Sequence, residues 1–354
     1  MRVLLLIRSC HPLISGADNM AHQTAAALTG HTDVKVVVAY RSDVEMSYKE
    51  RLLGGSCSIV LPPDDEAALQ VLRTKLFDVI HLFDFVDEAF MEIALTLSQE
   101  LNVPLFVTPA TEYSLWENPS LGIKVLRQAK GVFALTLTEA NRLQELAVDH
   151  ALPIELLPHA AVLSHTEYNF RDACNIPDEA PLVLFLGRKM ESKGYPLILE
   201  AAEDIWTYYP NAYFAFLGPD YDISAEVLVA YRDEPRIISR GMVTEKEKAA
   251  ALSACDLLCL PSLIDVFPVV FLEAWMCKKP VVASKMPGIE EVIFDGIDGL
   301  IAEPTAEGVA IAIRQLLDHE VSRKQMGENG WMRVQNAHSW EAVAKQLSKR
   351  YRQI

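Results

Sequence analysis

Residues 182–194 read Leu182-Val183-Leu184-Phe185-Leu186-Gly187-Arg188-Lys189-Met190-Glu191-Ser192-Lys193-Gly194. Five apolar residues without a polar interruption, closed by a glycine, predict a strand buried on both faces, as in a parallel sheet. The amphipathic stretch from about Gly194 to Tyr209 predicts a helix, so the segment reads as one β-α step of a doubly wound domain. Its order sets two cations, Arg188 and Lys193, at the carboxyl end of a strand and beside a helix N-terminus. Ligands of open α/β sheets lie outside the strand carboxyl ends, and helix N-termini favour anions, so a diphosphate suits this place. Ordinary surface charge is the alternative reading of the same spacing. Lys189 is expected to face elsewhere, and its replacement by alanine to be nearly silent.

The alternation continues on both sides. Downstream, strands are expected at 212–217, 236–238, 256–260 and 280–283, with helices near 245–254 and through Glu273, and the domain ends near Gln335. Upstream, apolar runs at 3–7, 34–39, 78–82, 104–108 and 132–137 alternate with helical patterns over 18–28, 67–75, 88–101 and 139–149. Asp18 and Thr138 stand where helix caps are expected. Between the halves, the polar interval 164–180, with Asn169, Asp172, Asn175, Pro177 and Asp178, shows no sustained apolar period and reads as a linker. A chain of 354 residues is longer than one core usually supports. The expected organisation is an α/β domain over 1–165, a second over 166–337 and a closing helical segment, 338–354.

With 32 basic and 48 acidic residues the formal charge is −16. That balance argues against a nucleic acid partner or a polybasic membrane patch, so an anionic ligand must be held locally. The first apolar run is interrupted by Arg8 and is too short for a signal-peptide core or an integral membrane segment. Six cysteines (Cys10, Cys57, Cys174, Cys255, Cys259, Cys277) form no C-x-x-C pair and suggest neither a disulfide framework nor zinc. A cytoplasmic protein is the expectation. Cys255 and Cys259 bracket an apolar strand and are expected to be buried and inert.

A second segment, Pro261-Ser262-Leu263-Ile264-Asp265-Val266-Phe267-Pro268-Val269-Val270-Phe271-Leu272-Glu273-Ala274, carries two carboxylates. Asp265 falls in a strand-to-helix loop and Glu273 early in the helix. A carboxylate so placed can accept hydrogen bonds from neighbouring hydroxyls of a ribose or hexose. The alternative is a helix cap and a solvated helical charge. Against it, Glu273 sits among Phe271, Leu272, Ala274, Trp275 and Met276, where an unpartnered carboxylate is costly to bury.

Gly187-Arg188…Lys193-Gly194, Asp256…Pro261-Ser262, Phe267…Glu273-Ala274, Lys279-Pro280-Val281-Val282-Ala283 and Gly288…Glu291…Gly296…Gly299-Leu300 together resemble the retaining family-4 glycosyltransferases. Ser15-Gly16-Ala17-Asp18 looks like that family's glycine-rich G-G-A-E turn, and Asp78-Val79-Ile80-His81, Pro158-His159 and Ser339-Trp340 extend the likeness over nearly the whole chain. The resemblance implies a GT-B architecture, two Rossmann-like doubly wound α/β domains facing a cleft, with the C-terminal helix crossing back to the first. It implies that Arg188 and Lys193 bind the donor diphosphate, that Glu273 holds the ribose and that Asp265 contacts the donor sugar. Gly16, Gly187, Val243, Phe267, Pro268 and Val269 complete the implied donor site. The implied reaction is glycosyl transfer with retention, from a nucleotide-diphosphate-sugar co-substrate to a glycan, lipid or small-molecule acceptor. Two fixed cations can stabilise a departing diphosphate without a metal, and no convincing D-x-D metal motif appears in a suitable loop, so neither metal nor further cofactor is expected.

Several positions depart from the family's pattern. Asp265 replaces the usual glutamate, Val266-Phe267-Pro268 replaces Gly-Phe-Gly, and Pro268 has no amide hydrogen to offer a donor. Thr108-Pro109-Ala110-Thr111-Glu112 carries Ala110 where the family often has a histidine near the reacting centre, which makes Thr111 or Glu112 the candidate to assist. His81 reads as a packed strand-end side chain or a cleft residue; His11 and His22 pose the same choice. Glu291 is ambiguous between capping and donor contact. Ala110, Asp265 and Pro268 motivate a rival, a catalytically weakened nucleotide-sugar-binding relative serving as a partner or regulatory protein. A GT-B epimerase or phosphorylase is the third reading. A dehydrogenase is set aside, because Ser9-Cys10-His11-Pro12 stands where G-x-G-x-x-G would follow the first strand.

Overall fold

The run Val3–Ile7 is wholly buried and lies in the middle of a parallel sheet, the environment its unbroken apolar pattern requires. The computed structural model describes residues 1–9, 16–41, 51–53, 56–148, 150–157, 159–221 and 224–353. Cys10, His11, Ser15 and Pro158, named in the sequence readings, lie outside the described residues. The chain divides into two compact units: Met1–His159 with Ser339–Ile354, and Ala160–His338.

The first unit holds β1 (Arg2–Ser9), β2 (Lys35–Arg41), β3 (Arg51–Leu53), β4 (Ser56–Val60), β5 (Val79–Phe83), β6 (Leu105–Thr108), β7 (Gly131–Ala134) and β8 (Ile154–Leu156). They form one sheet in the order β3-β4-β2-β1-β5-β6-β7-β8, parallel except for the β3–β4 pair. Helices α1 (Gly16–His31), α2 (Asp65–Arg73), α3 (Glu88–Leu101), α4 (Pro119–Gln128) and α5 (Leu137–Leu146) connect these strands. The caps differ from the sequence reading. Thr136, not Thr138, accepts the Glu139 amide at 3.0 Å and caps α5, and Asp18 lies inside the first turn of α1. The apolar run 132–137 therefore ends as a strand at Ala134, because the cap turns the chain into a helix. The β3–β4 pair, β8 and α4 are not foreseen; the strands are too short for a period to register.

The second unit holds α6 (Phe170–Ala173), then β9 (Leu182–Leu186), α7 (Tyr195–Tyr208), β10 (Tyr213–Leu217), α8 (Ser224–Val229), β11 (Ile237–Arg240), α9 (Glu245–Ala254), β12 (Leu257–Leu260), α10 (Val269–Met276), β13 (Val281–Ser284), α11 (Ile289–Val292), β14 (Gly299–Ala302), α12 (Ala306–Asp318) and α13 (Glu320–Ala337). Its all-parallel sheet runs β11-β10-β9-β12-β13-β14. The chain winds outward from β9 through β10 to β11, then returns through α9 to lay β12 on the other side of β9. The loops after β9 and β12 thus flank the point where winding reverses, the place open α/β sheets offer to ligands. The interval expected to be a linker belongs to this unit. Phe170 is in its core, and the Arg171 guanidinium bonds the carbonyls of Ala254, Pro177 and Ala180.

The last helix, α14 (Trp340–Tyr351), belongs to the first unit. It packs on α1 and buries Val343, Ala344, Leu347 and Tyr351 beside Val3, Leu5 and Met20. No helix among the described residues is long and apolar enough to cross a membrane.

Candidate functional site

Beyond β9 the main chain keeps pairing with the segment that leaves β10. The Gly187 amide donates to the Leu217 carbonyl at 2.9 Å, Lys189 to Pro219 at 2.9 Å, and Tyr221 back to Lys189 at 3.1 Å. This short ladder sends alternate side chains to opposite sides. Arg188 is half-buried, with its guanidinium carbon 5.6 Å from the centre of the Tyr221 ring. Among the described residues it makes no side-chain hydrogen bond or ion pair, so its planar fork of donors is uncommitted. Lys189 does face elsewhere, but not into solvent. It is 1% exposed, and its ammonium lies 3.0 Å from Ser239 Oγ, 3.0 Å from the Arg240 carbonyl and 2.9 Å from Asp220 Oδ1. The expectation that Lys189→Ala is nearly silent is thereby corrected, because the change empties a buried side-chain site and takes from Ser239, Arg240 and Asp220 the ammonium they share.

A 3-10 turn, Glu191–Lys193, follows, and the chain enters α7 through Gly194 at φ +71°. A Cβ there would stand 2.0 Å from the Pro261 carbonyl oxygen, so only glycine lets this loop meet the one after β12. The two loops are also joined by the Leu263 amide on the Ser192 carbonyl at 2.8 Å. Across this seam Lys193 Nζ lies 2.5 Å from Asp265 Oδ2, with both side chains less than a fifth exposed. Asp265 Oδ1 accepts its neighbour's amide, Val266 N–H, at 3.0 Å. Asp265 does not cap α10. The position before that helix is Pro268, and no side chain caps it, which leaves the first-turn amides from Val269 onward with their partial positive charge. Phe267 is half-buried, with its ring 6.3 Å from that of His338.

Glu273 is 2% exposed, inside α10. Its Oε1 is 2.7 Å from Lys248 Nζ on α9, and that ammonium also meets Glu245 at 2.8 Å. Its Oε2 is buried and has no hydrogen-bond partner among the described residues. Burial pushes the carboxyl above its ordinary value while Lys248 pulls it back. The solvated-charge reading of Glu273 is excluded. Lys248 was not legible beforehand, since a lysine three residues after a helix-starting glutamate reads as a surface i,i+3 pair.

The other expected donor residues are scattered over both units. Val243 is half-buried in the loop between β11 and α9, and Gly16 opens α1, where a Cβ would meet no atom of the described residues within 4 Å. Glu291 is exposed in the first turn of α11. Cys255 and Cys259 are buried; burial pushes both thiols up, that of Cys255 to about 12.

In the first unit His81 takes the packed strand-end reading and not the cleft one. It is fully buried, its ring nitrogens lie 2.5 Å from Tyr351 Oη and 2.8 Å from Thr108 Oγ1, and burial lowers its pKa to about 3. His22 is half-buried on α1, edge-on to Tyr40. The Glu112 carboxylate folds back on the Ser114 amide at 2.6 Å, capping a 3-10 turn. Thr111 Oγ1 donates to Asp84 Oδ1 at 2.6 Å. Asp84 and Ala110, at the ends of neighbouring β5 and β6, both hold left-handed φ values, +69° and +54°, a local cost that tends to persist at functional places. Glu139 lies in the first turn of α5; the Leu135 amide donates to its Oε2 at 2.6 Å, and burial pushes the carboxyl up to about 7. Neither Asp84 nor Glu139 stood out in the sequence, where each reads as an ordinary capping or helical acid. Among the described residues no group of three His, Cys, Asp or Glu side chains is arranged to hold a metal ion.

Residues 167–332, which contain Arg188, Lys193, Asp265 and Glu273, match the family described as glycosyl transferases group 1. Alpha-D-kanosaminyltransferase of Streptomyces kanamyceticus is 26% identical over 289 residues, 73% of this chain and 72% of that protein. Other curated relatives, 29% and 30% identical, match over about half of their own length. The whole fold is shared with sucrose-phosphate synthase from Thermosynechococcus elongatus, at a TM-score of 0.84 and 22% identity over 99% of this chain and 98% of that one. It is shared equally with Anabaena HepE in complex with UDP-glucose, at a TM-score of 0.83 and 16% identity over the full length of both. The second unit thus carries the match to glycosyl transferases group 1, and the chain as a whole has two Rossmann-like parallel sheets of the GT-B kind, similar to those of these glycosyltransferases.

Proposed function

We propose that the protein transfers a glycosyl group from a nucleoside diphosphate sugar to a hydroxyl-bearing acceptor, with retention of configuration and without a divalent metal. The observation that carries this reading is the Glu273 carboxylate. One oxygen is paired to Lys248 and the other is buried without a hydrogen-bond partner among the described residues, an arrangement that costs stability unless a ligand supplies the missing donor. A ribose hydroxyl supplies it. Beside the reversal point of the sheet, Arg188 meets the diphosphate with its planar fork and Lys193 with a point charge. As the leaving group departs, negative charge grows on the phosphates, and these two cations with the α10 amides stabilise it. Pro268 removes one of those amides but leaves Val269 and those after it. Asp265, which holds Lys193 before donor arrives, is placed to exchange that contact for a sugar hydroxyl.

HepE, a structural neighbour, binds UDP-glucose, which supports a nucleotide-sugar donor here. We place the acceptor, a glycan, lipid or small molecule, mainly on the first unit, and the protein in the cytoplasm. Transferase relatives favour an enzyme over a binding-only protein. Thermal shift against nucleoside diphosphates and their sugars tests the proposal, since a ligand at 100 times its Kd stabilises by about 2.7 kcal/mol. A panel in which none stabilises the protein, or in which Glu273→Gln binds the best of them as tightly as wild type, refutes it. Binding with no hydrolysis or transfer product under any condition identifies the regulatory relative instead.

A further inference from the structure

Three loops of the second unit leave adjacent strands: the one after β9 carries Arg188, the one after β10 carries Tyr221, and the one after β11 carries Val243. Side chains in such loops normally shift independently, yet these loops meet at one buried point. Lys189 extends under the ladder and spends all three ammonium hydrogens, one on Asp220 after β10 and two at the end of β11, on Ser239 and the Arg240 carbonyl. The Gly187 and Lys189 amides bind the same β10 exit, and Tyr221 returns the bond to Lys189. Gly218 lets the segments close, since a Cβ there would sit 1.9 Å from the Gly187 carbonyl oxygen. Arg188 lies between these anchors with the Tyr221 ring as its neighbour. A buried ammonium is costly unless every hydrogen is used, so the clamp tolerates little displacement.

We propose that Lys189 is a positioning residue of the donor site: its ammonium ties the exits of β9, β10 and β11 together and so aims the Arg188 guanidinium, backed by Tyr221, at the donor diphosphate. The inference rests on the glycosyl-transfer reading and goes beyond it by assigning how the diphosphate cation is held. Lys189 touches no ligand; it acts through Arg188. The prediction is therefore one of coupling, which a purely structural lysine does not show.

The test is a double-mutant cycle on the full chain. Calorimetric titration uses whichever of uridine, guanosine, adenosine and thymidine diphosphate raises the wild-type Tm most. Lys189→Met keeps the length of the side chain and deletes its charge; Asp220→Asn, at the exposed end of the clamp, runs the same cycle should Lys189→Met not fold. We expect Arg188→Ala and the clamp variant each to weaken binding about tenfold, and the double variant to be within about twofold of Arg188→Ala alone. Multiplying losses, about a hundredfold in the double variant, overturn the proposal, as does wild-type affinity in a clamp variant. A wild type that binds none of the four diphosphates overturns the glycosyl-transfer reading and this inference with it. Binding with multiplying losses overturns this inference alone.

Discussion

Replacing Lys248 by methionine removes the only hydrogen-bond partner that the Glu273 carboxylate has among the described residues. The lysine side chain is 12% exposed and the glutamate 2%, so the charge left behind is buried. Breaking such a pair costs about 3–5 kcal/mol, and the partial exposure of the lysine places the expectation near the lower end, about 3 kcal/mol. That is a large share of a typical domain's total stability. The loss depends on pH with a definite sign. Burial already holds the Glu273 carboxyl above its ordinary value, and Lys248 opposes the shift; without the lysine it rises further. A carboxyl that binds its proton more tightly folded than unfolded stabilises the fold while protonated. That contribution is present below the unfolded pKa and is lost as pH rises towards the folded one. The penalty of Lys248→Met should therefore be full near neutrality and shrink on acidification, by up to about 1.4 kcal/mol per pH unit. Urea denaturation of wild type, Lys248→Met, Glu273→Gln and the double variant, followed by tryptophan fluorescence at about pH 5 and about pH 7.5, reads this directly; Trp275 lies on the same helix. The double variant should recover most of the loss, since no buried charge remains unpaired. A penalty below about 1 kcal/mol, an equal penalty at both pH values, or single losses that simply add would refute the reasoning.

Other outcomes follow from single contacts. Gly194→Ala must hold alanine at φ +71° and push its Cβ away from the Pro261 carbonyl. It should lose at least about 1–2 kcal/mol of stability, together with turnover, and a variant as stable and as active as wild type contradicts the described seam between the loops. His81, held neutral by burial with a pKa of about 3, binds its proton less tightly folded than unfolded. It therefore contributes a loss of stability as pH falls below the unfolded value of about 6.5, approaching about 1.4 kcal/mol per unit. His81→Gln should flatten the stability profile between about pH 7 and pH 5 relative to wild type, and parallel profiles would count against it. Transfer should survive thorough chelation, and a strict requirement for added Mg²⁺ or Mn²⁺ would defeat the metal-free mechanism. Arg188→Lys should restore only part of the turnover that Arg188→Ala loses, because it keeps the charge without the planar fork; full restoration would show that shape is immaterial there.

Both sheets were legible wherever burial forces a pattern. Val3–Ile7 and Leu182–Leu186 are unbroken apolar runs because a parallel strand is covered on both faces, and α3 and α9 were readable to their ends because capping residues mark them. The interval near Phe170 was misread because one buried aromatic and one arginine tying down three carbonyls leave no period to detect. Order along the chain likewise placed Arg188, Lys193, Asp265 and Glu273 at strand exits or on the helix behind them. It could not say what each of them touches. Whether His81 faces a ligand or the core depends on Tyr351, 270 residues away. Whether Lys189 is idle or clamped depends on Asp220 and Ser239, which belong to two other strand exits. Local periodicity is written by burial along a single element and survives in the sequence alone. The pairing of charges is written by which elements the sheet brings side by side, and only the tertiary structure decides that.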